Sequence, residues 1–243
     1  MKKSIILFFL ISGNIILGQT KEAIPLLGEN APAFKAQSTN GAVDFPKDFG
    51  KSWKILLSHP RDFTPVCSSE IIELAHMQGE FKELNTQIIV LSTDDVKRHA
   101  AWKNAIEELL VLKNQPEKID FPLVEDLDYT ISRKYGMLHD EINTTKDVRG
   151  VFIIDPDNII RSIQFYPMEV GRNFKEIKRS IIALQLTTRN NEVATPANWE
   201  PGNDVLVKFM TGDQVDQYDN AEEIGITQDV WFMTWKESKY LEK

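Results

Sequence analysis

The sequence predicts an α/β fold, a mixed central sheet flanked by helices, with a small C-terminal domain appended. Three observations predict it. Short continuous apolar runs alternate with stretches of helical period; past the middle of the chain the pattern changes to strand–turn–strand; and the texture changes again near Thr195.

In chain order, residues 54–59 (KILLSH) form a short apolar run, as in a strand buried on both faces. Beyond Pro65, apolar residues at Ile71, Leu74, Phe81 and Leu84 fall on one helical face. Residues 87–93 read as the next buried strand, and 95–112 as a second helix capped by Asp94 or Asp95. A short strand over 121–124 and a short helix over 129–135, ending at Gly136, follow. Two strands over 149–154 and 159–165 flank Asp-Pro-Asp-Asn at 155–158, a strong turn signal. Residues 173–186 form the last amphipathic helix, which completes a sheet with helices on both faces.

From Thr195 onward the aromatics cluster in TPANWEPG (195–202), VLVKF (205–209) and VWFMTW (230–235). Roughly fifty residues seldom bury an adequate core alone, so this segment needs another surface, the main domain or a partner subunit. The organisation expected is a signal segment over 1–18, a main domain over 24–190 and a C-terminal domain over 191–243.

The first residues carry Lys2 and Lys3 before a 13-residue apolar stretch, residues 5–17. That is short for a span needing about 20 residues, and Gly18 supplies a small residue before a cut at Gln19. The segment predicts a removable signal and an exported, periplasmic or secreted protein, without stable membrane insertion. The net charge of −8 is scattered, and no basic face suggests nucleic-acid binding.

One cysteine occurs in 243 residues, at the end of HPRDFTPVC, residues 59–67. No internal disulfide can form, so Cys67 is an inert core residue, a reactive thiol or an intermolecular linker. With Thr64 as N-cap and Pro65 as first helical residue, Cys67 falls in the first turn. Free amides and the helix dipole there stabilise a thiolate. The same geometry also suits a small buried hydrophobe.

Pro60-x-x-x-Thr64-x-x-Cys67 resembles the active-site pattern of the peroxiredoxin family (alkyl hydroperoxide reductase C/TSA type), and SHPRDFTPVC is similar to its one-cysteine subfamily. The resemblance continues through Thr93-Asp94, Gly136-Met137-Leu138, Arg149-x-Val-Phe, Tyr166-Pro167, Gly171-Arg-Asn-Phe174, Leu184-Gln-Leu186 and Ala194-Thr-Pro196. It implies a thioredoxin-like fold with a small C-terminal peroxiredoxin domain, hydroperoxide reduction with an external thiol as reductant, and a homodimer. By the same resemblance Cys67 is the nucleophile that becomes a sulfenic acid, and Thr64 hydrogen-bonds peroxide and thiolate. Arg149 favours the thiolate and the charge on the leaving oxygen, Pro60 shields the sulfenic acid, and His59 and Arg172 border the substrate pocket.

Some one-cysteine relatives resemble phospholipases through Gly-x-Ser-x-Gly. Here the segment is Gly50-Lys-Ser52-Trp-Lys54, and the partner histidine is replaced by Pro46, so the serine lacks a base even with Asp157 at the acid position. No Cys-x-x-Cys supports disulfide exchange. His76, His99 and His139 have no mutual ligand spacing, so neither a metal nor another cofactor is expected. Asn143-Thr-Thr145 is a formal glycosylation sequon. The competing function is a non-catalytic redox sensor signalling through Cys67 oxidation.

Overall fold

A hairpin is the first element among the described residues of the computed structural model, which are 24–208, 225–230 and 232–241. The expected signal segment, Phe209 and Trp231 lie outside the described residues. Strands β1 (Phe34–Ser38) and β2 (Gly41–Phe45) pair antiparallel, and Gly41 adopts φ +96° at the end of the turn. Asn40-Gly41 is a hairpin signal because glycine enters positive φ without a Cβ clash. The sequence reading assigns no element here.

The predicted βαβ pattern follows. Strand β3 (Trp53–Ser58), helix α1 (Pro65–Glu83), strand β4 (Thr86–Ser92), helix α2 (Val96–Leu112) and strand β5 (Leu123–Glu125) succeed one another. The pairs β3–β4 and β4–β5 are parallel, so α1 and α2 are crossover helices. Asp95, not Asp94, caps α2, its carboxylate accepting from the Arg98 amide. Helix α3 (Thr130–Lys134) precedes strands β6 (Arg149–Ile154) and β7 (Ile160–Tyr166), and helix α4 (Phe174–Arg189) follows. The β6–β7 turn is held by Asp155 Oδ1, which accepts from the amides of Asp157 and Ile159 at 2.9 Å each.

The seven strands lie in the order β2-β1-β5-β4-β3-β6-β7. Side chains of the central strands alternate between two cores, as a pleated sheet requires. Ile55, Leu57, Ile88, Val90, Val151 and Ile153 pack with α1, α2 and α4. Leu56, Ile89, Leu91, Phe152 and Ile154 pack with Ile131 of α3, with Tyr135 just after it, and with the hairpin phenylalanines Phe34 and Phe45. This double burial explains why these strands read as continuous apolar runs.

The C-terminal segment forms a second, antiparallel sheet from β8 (Val193–Ala194), β9 (Val205–Val207), β10 (Ile226–Val230) and β11 (Met233–Lys236), in the order β10-β11-β9-β8. Its Trp199 finds the surface it needs on the main domain, buried with Val193 and Val205 against Ala183 and Leu186 of α4. Phe232, by contrast, stays 64% exposed.

Candidate active site

The segment between β3 and α1 forms the site. Pro65 takes the first position of α1, where its missing N–H costs nothing. Thr64 holds the N-cap position in extended backbone (φ −107°, ψ 149°), but its hydroxyl does not cap the helix. Instead Oγ1 donates to the Arg61 carbonyl at 2.9 Å. The Cys67 amide is among the first-turn donors that helix geometry leaves without an intrahelical acceptor. Cys67 itself is buried, at the base of α1.

β6 begins with Arg149, and the antiparallel β3–β6 pairing brings this strand beside the one that leads into the cysteine loop. Arg149 is 2% exposed. Its Nη1 donates to Cys67 Sγ at 3.3 Å and to Glu70 Oε2 at 2.8 Å, while Nε and Nη2 donate to the Met168 carbonyl at 2.9 and 2.6 Å. Arg172 closes the cluster from the β7–α4 connection. Its Nε donates to Glu70 Oε1 and Nη2 to Oε2, at 3.0 and 2.8 Å, and Nη1 donates to the carbonyls of Ser58 and Gly150 at 2.9 and 2.8 Å. These donors are directed at protein groups, so Arg172 holds Glu70 and the β3 and β6 backbones.

Glu70 is the residue the sequence reading missed. It sits three positions after Cys67 on α1, the spacing that puts two side chains on one helical face. Burial alone would raise its carboxyl, but Arg172 and then Arg149 outweigh it and hold Glu70 below the usual carboxylate range. The cluster of two guanidiniums and one carboxylate carries one net positive charge. A thiolate at Cys67 neutralises it.

Pro60 is buried and His59 is 1% exposed. His59 Nε2 lies 2.8 Å from Asp62 Oδ1, and His99 Nδ1, from α2, lies 2.8 Å from Asp62 Oδ2. His99 Nε2 faces the Val124 carbonyl at 3.2 Å. The three side chains come within metal-ligand distance of one another, although each contact has ordinary hydrogen-bond length. Burial would raise the Asp62 carboxyl, but hydrogen bonds from the two histidines overcome it and set it at about 2. Burial also pushes the His59 imidazole below its ordinary value, against the pull of Asp62. Only the His59 part of this triad was expected; the contact between Asp62 and His99 spans 37 positions and has no sequence signature.

The lipase positions do not form a catalytic set: Ser52 Oγ donates to Asn85 Oδ1, and exposed Asp157 pairs with Lys51.

A profile described as the AhpC/TSA family matches residues 27–163, and one described as the C-terminal domain of 1-Cys peroxiredoxin matches residues 183–218. A peroxiredoxin of Methanosarcina mazei is 46% identical over 215 residues, covering 88% of this chain and 98% of that protein. One from Aquifex aeolicus is 45% identical over 179 residues, 74% of this chain and 78% of its own length. Among solved structures, a cysteine-to-serine mutant of peroxiredoxin 6 of Arenicola marina superposes with TM-score 0.76 at 34% identity, covering 87% of this chain and 97% of that one. The yeast mitochondrial 1-Cys peroxiredoxin, described with a thiol resolving mechanism via glutathione/thioredoxin systems, gives TM-score 0.75 at 33% identity, covering 88% and 100%.

A lone cysteine under a buried arginine, on a thioredoxin-like sheet matched over most of its length, defines a thiol-dependent peroxidase. The chain belongs to the peroxiredoxin family, with a single cysteine and the C-terminal domain of the 1-Cys branch.

Proposed function

We propose that Cys67, as thiolate, attacks the terminal oxygen of a hydroperoxide. The S–O bond forms as the O–O bond breaks, the sulfur becomes a sulfenic acid, and the departing oxygen leaves as water or alcohol once protonated. Two equivalents of an external thiol then return Cys67 to the reduced state: the first forms a mixed disulfide and releases water, and the second frees Cys67 as the reductant leaves as its disulfide. The observation that carries this reading is the Arg149 Nη1 contact with Sγ at 3.3 Å, made by a guanidinium that Glu70 and the Met168 carbonyl hold in place. A fixed donor there stabilises both the thiolate and the charge that builds on the leaving oxygen.

The remaining roles follow the same geometry. Thr64, its hydroxyl resting on the Arg61 carbonyl, turns to donate to the peroxide. Buried Pro60 shields the sulfenic acid. Arg172 acts through Glu70, and His59 borders the pocket. Thr64→Val and Arg149→Ala test the assignment: each slows the second-order reaction with peroxide by about 10²–10³, with far-UV dichroism unchanged. Wild-type rates in both variants would reduce the motif to a structural cap.

Export and a homodimer belong to the same proposal. The apolar start of the chain supports export. The homodimer is supported by β7, which ends the described sheet with one side unpaired, and by Val230, at the end of β10, and Phe232, between β10 and β11, both exposed. Among the described residues no helix is long and apolar enough to cross a membrane. The sensor alternative shares the first oxidation step and differs in turnover, so repeated peroxide consumption with an added thiol separates the two.

A further inference from the structure

Asp147 opens the segment that carries Arg149, two residues further on. It is fully buried, and neither of its carboxyl oxygens has a hydrogen-bond partner. A buried polar group left unpaired costs about 1–3 kcal/mol, and an unpaired charge costs more, so this acid calls for a reason.

The groups that face Asp147 come from three parts of the chain: Ser132 of α3 and Asp126 just ahead of it, Asp94 after β4, and the neighbouring Lys146. The Ser132 hydroxyl gives its hydrogen to Asp126 Oδ2 at 2.6 Å, so its oxygen can still accept but no longer donate. Lys146 Nζ, the cation of the set, is turned to Thr93 Oγ1 and Asp94 Oδ1, at 3.2 Å each. A carboxylate at 147 would meet acids and a spent hydroxyl. A neutral acid meets an oxygen able to take its hydrogen. Burial, with the two acids, accordingly pushes the Asp147 carboxyl well above the ordinary range.

The residues that follow are pinned. The Val148 amide donates to the Met137 carbonyl at 2.9 Å, and the Val148 carbonyl accepts from Ser58 Oγ at 2.7 Å. Ser58 Oγ in turn accepts from the Gly150 amide at 2.9 Å. Ser58 ends β3, the strand that leads into the cysteine loop, and its carbonyl takes Arg172. On the other side of Asp147 the chain is exposed over most of residues 140–145, tied back by Thr93 Oγ1 on the Thr145 carbonyl and by Lys146. Asp147 therefore stands at the junction of a surface loop and the backbone that seats Arg149 on Cys67.

We infer that Asp147 is a positioning residue for Arg149 and a proton switch on the peroxide reaction. Neutral, it stays inside and residues 148–150 keep their register on Met137 and Ser58. Ionised, it reaches water by way of the exposed loop, draws Val148 off both partners, and takes Arg149 off the sulfur. The site is closed while the acid holds its proton and opens as pH rises through the raised value. The inference rests on the peroxidase reading for its output, whereas the movement of the backbone stands apart from turnover.

The test compares the second-order rate with hydrogen peroxide of the wild type and of Asp147→Asn, which keeps the shape of the neutral acid and does not ionise. The pH runs from about 5 to 9, wide enough to hold both arms of a bell-shaped profile. The ratio of wild-type to variant rate, in which the titration of Cys67 itself cancels, falls from the acid to the alkaline end by about 10², the loss of one preorganised donor. Hydrogen exchange of the wild type, corrected for its intrinsic pH dependence, shows the Val148 and Gly150 amides losing protection over the same interval. A flat ratio overturns the inference. So does unchanged protection at Val148 and Gly150, which decides the matter even where Asp147→Asn fails to fold. A wild type that forms no sulfenic acid at any pH defeats the peroxidase reading instead, and the exchange measurement still decides whether the segment opens.

Discussion

At the scale of single residues, the site is a balance of buried charges. Glu70 joins Arg149 and Arg172 on one carboxylate, all three buried. Breaking a buried pair by removing one partner costs about 3–5 kcal/mol, because the remaining charges stay desolvated. Glu70→Gln is therefore expected to lower stability to denaturant by about that much and to slow the peroxide reaction as Arg149 loses its anchor. Because the folded carboxyl is held low, the stabilisation from Glu70 is complete above the ordinary carboxylate range and is lost as pH falls through the depressed value. Asp147 has the opposite sign. It is fully buried, both carboxyl oxygens lack partners, and burial raises it well above the ordinary carboxylate range, helped by Asp126 and Asp94 and opposed by Ser132 and Lys146. The unfolded chain gains by ionising this group while the folded one does not, so its contribution to stability declines as pH rises above the unfolded value. Asp147→Asn is expected to match the wild type near pH 3.8 and to gain in relative stability toward neutrality, as read by melting curves across pH. A constant difference between the two proteins would exclude Asp147 as the titrating group. In the sequence, Cys67, Thr64 and Arg149 were legible because a motif carries them, whereas Glu70 was hidden among ordinary helix glutamates.

At the scale of elements, apolar pattern was legible wherever both faces of a strand are buried. Residues 54–59, 87–93 and 149–154 correspond closely to Trp53–Ser58, Thr86–Ser92 and Arg149–Ile154. Helix ends were less so: α4 runs on to Arg189, because no glycine or proline stops it at Leu186. The β1–β2 hairpin went unread even though Asn40-Gly41 marks its turn; its strands bury only some of their residues and carry Lys35, Gln37 and Asp44. The C-terminal sheet is anchored on α4 through Trp199, whose Nε1 also donates to the Asn203 carbonyl at 3.0 Å. Trp199→Ala is expected to cost about 3–5 kcal/mol, the usual loss for a large core aromatic, and to expose the chain after Arg189 to proteolysis. Unchanged protease resistance would show that the sheet is held by other contacts.

At the scale of the whole molecule, the two cores place strand ends and helix starts so that three distant segments converge on the face of α1 that carries Cys67 and Glu70. The loop after β3 brings Cys67, the start of β6 brings Arg149, and the start of α4 is preceded by Arg172. The alternating pattern of strands and helices made the fold class legible, but the convergence itself depends on antiparallel β3–β6 pairing, which no local pattern encodes. A fold held without disulfides leaves its single thiol free for chemistry. That is the central claim, and intact-mass analysis tests it most directly. After one equivalent of peroxide without reductant, the chain should gain a single oxygen on Cys67 that a sulfenic-acid trap captures. Excess peroxide should carry it on to sulfinic acid, which ordinary thiols do not reverse. An unmodified thiol under these conditions, or quantitative conversion to a covalent dimer, would contradict it.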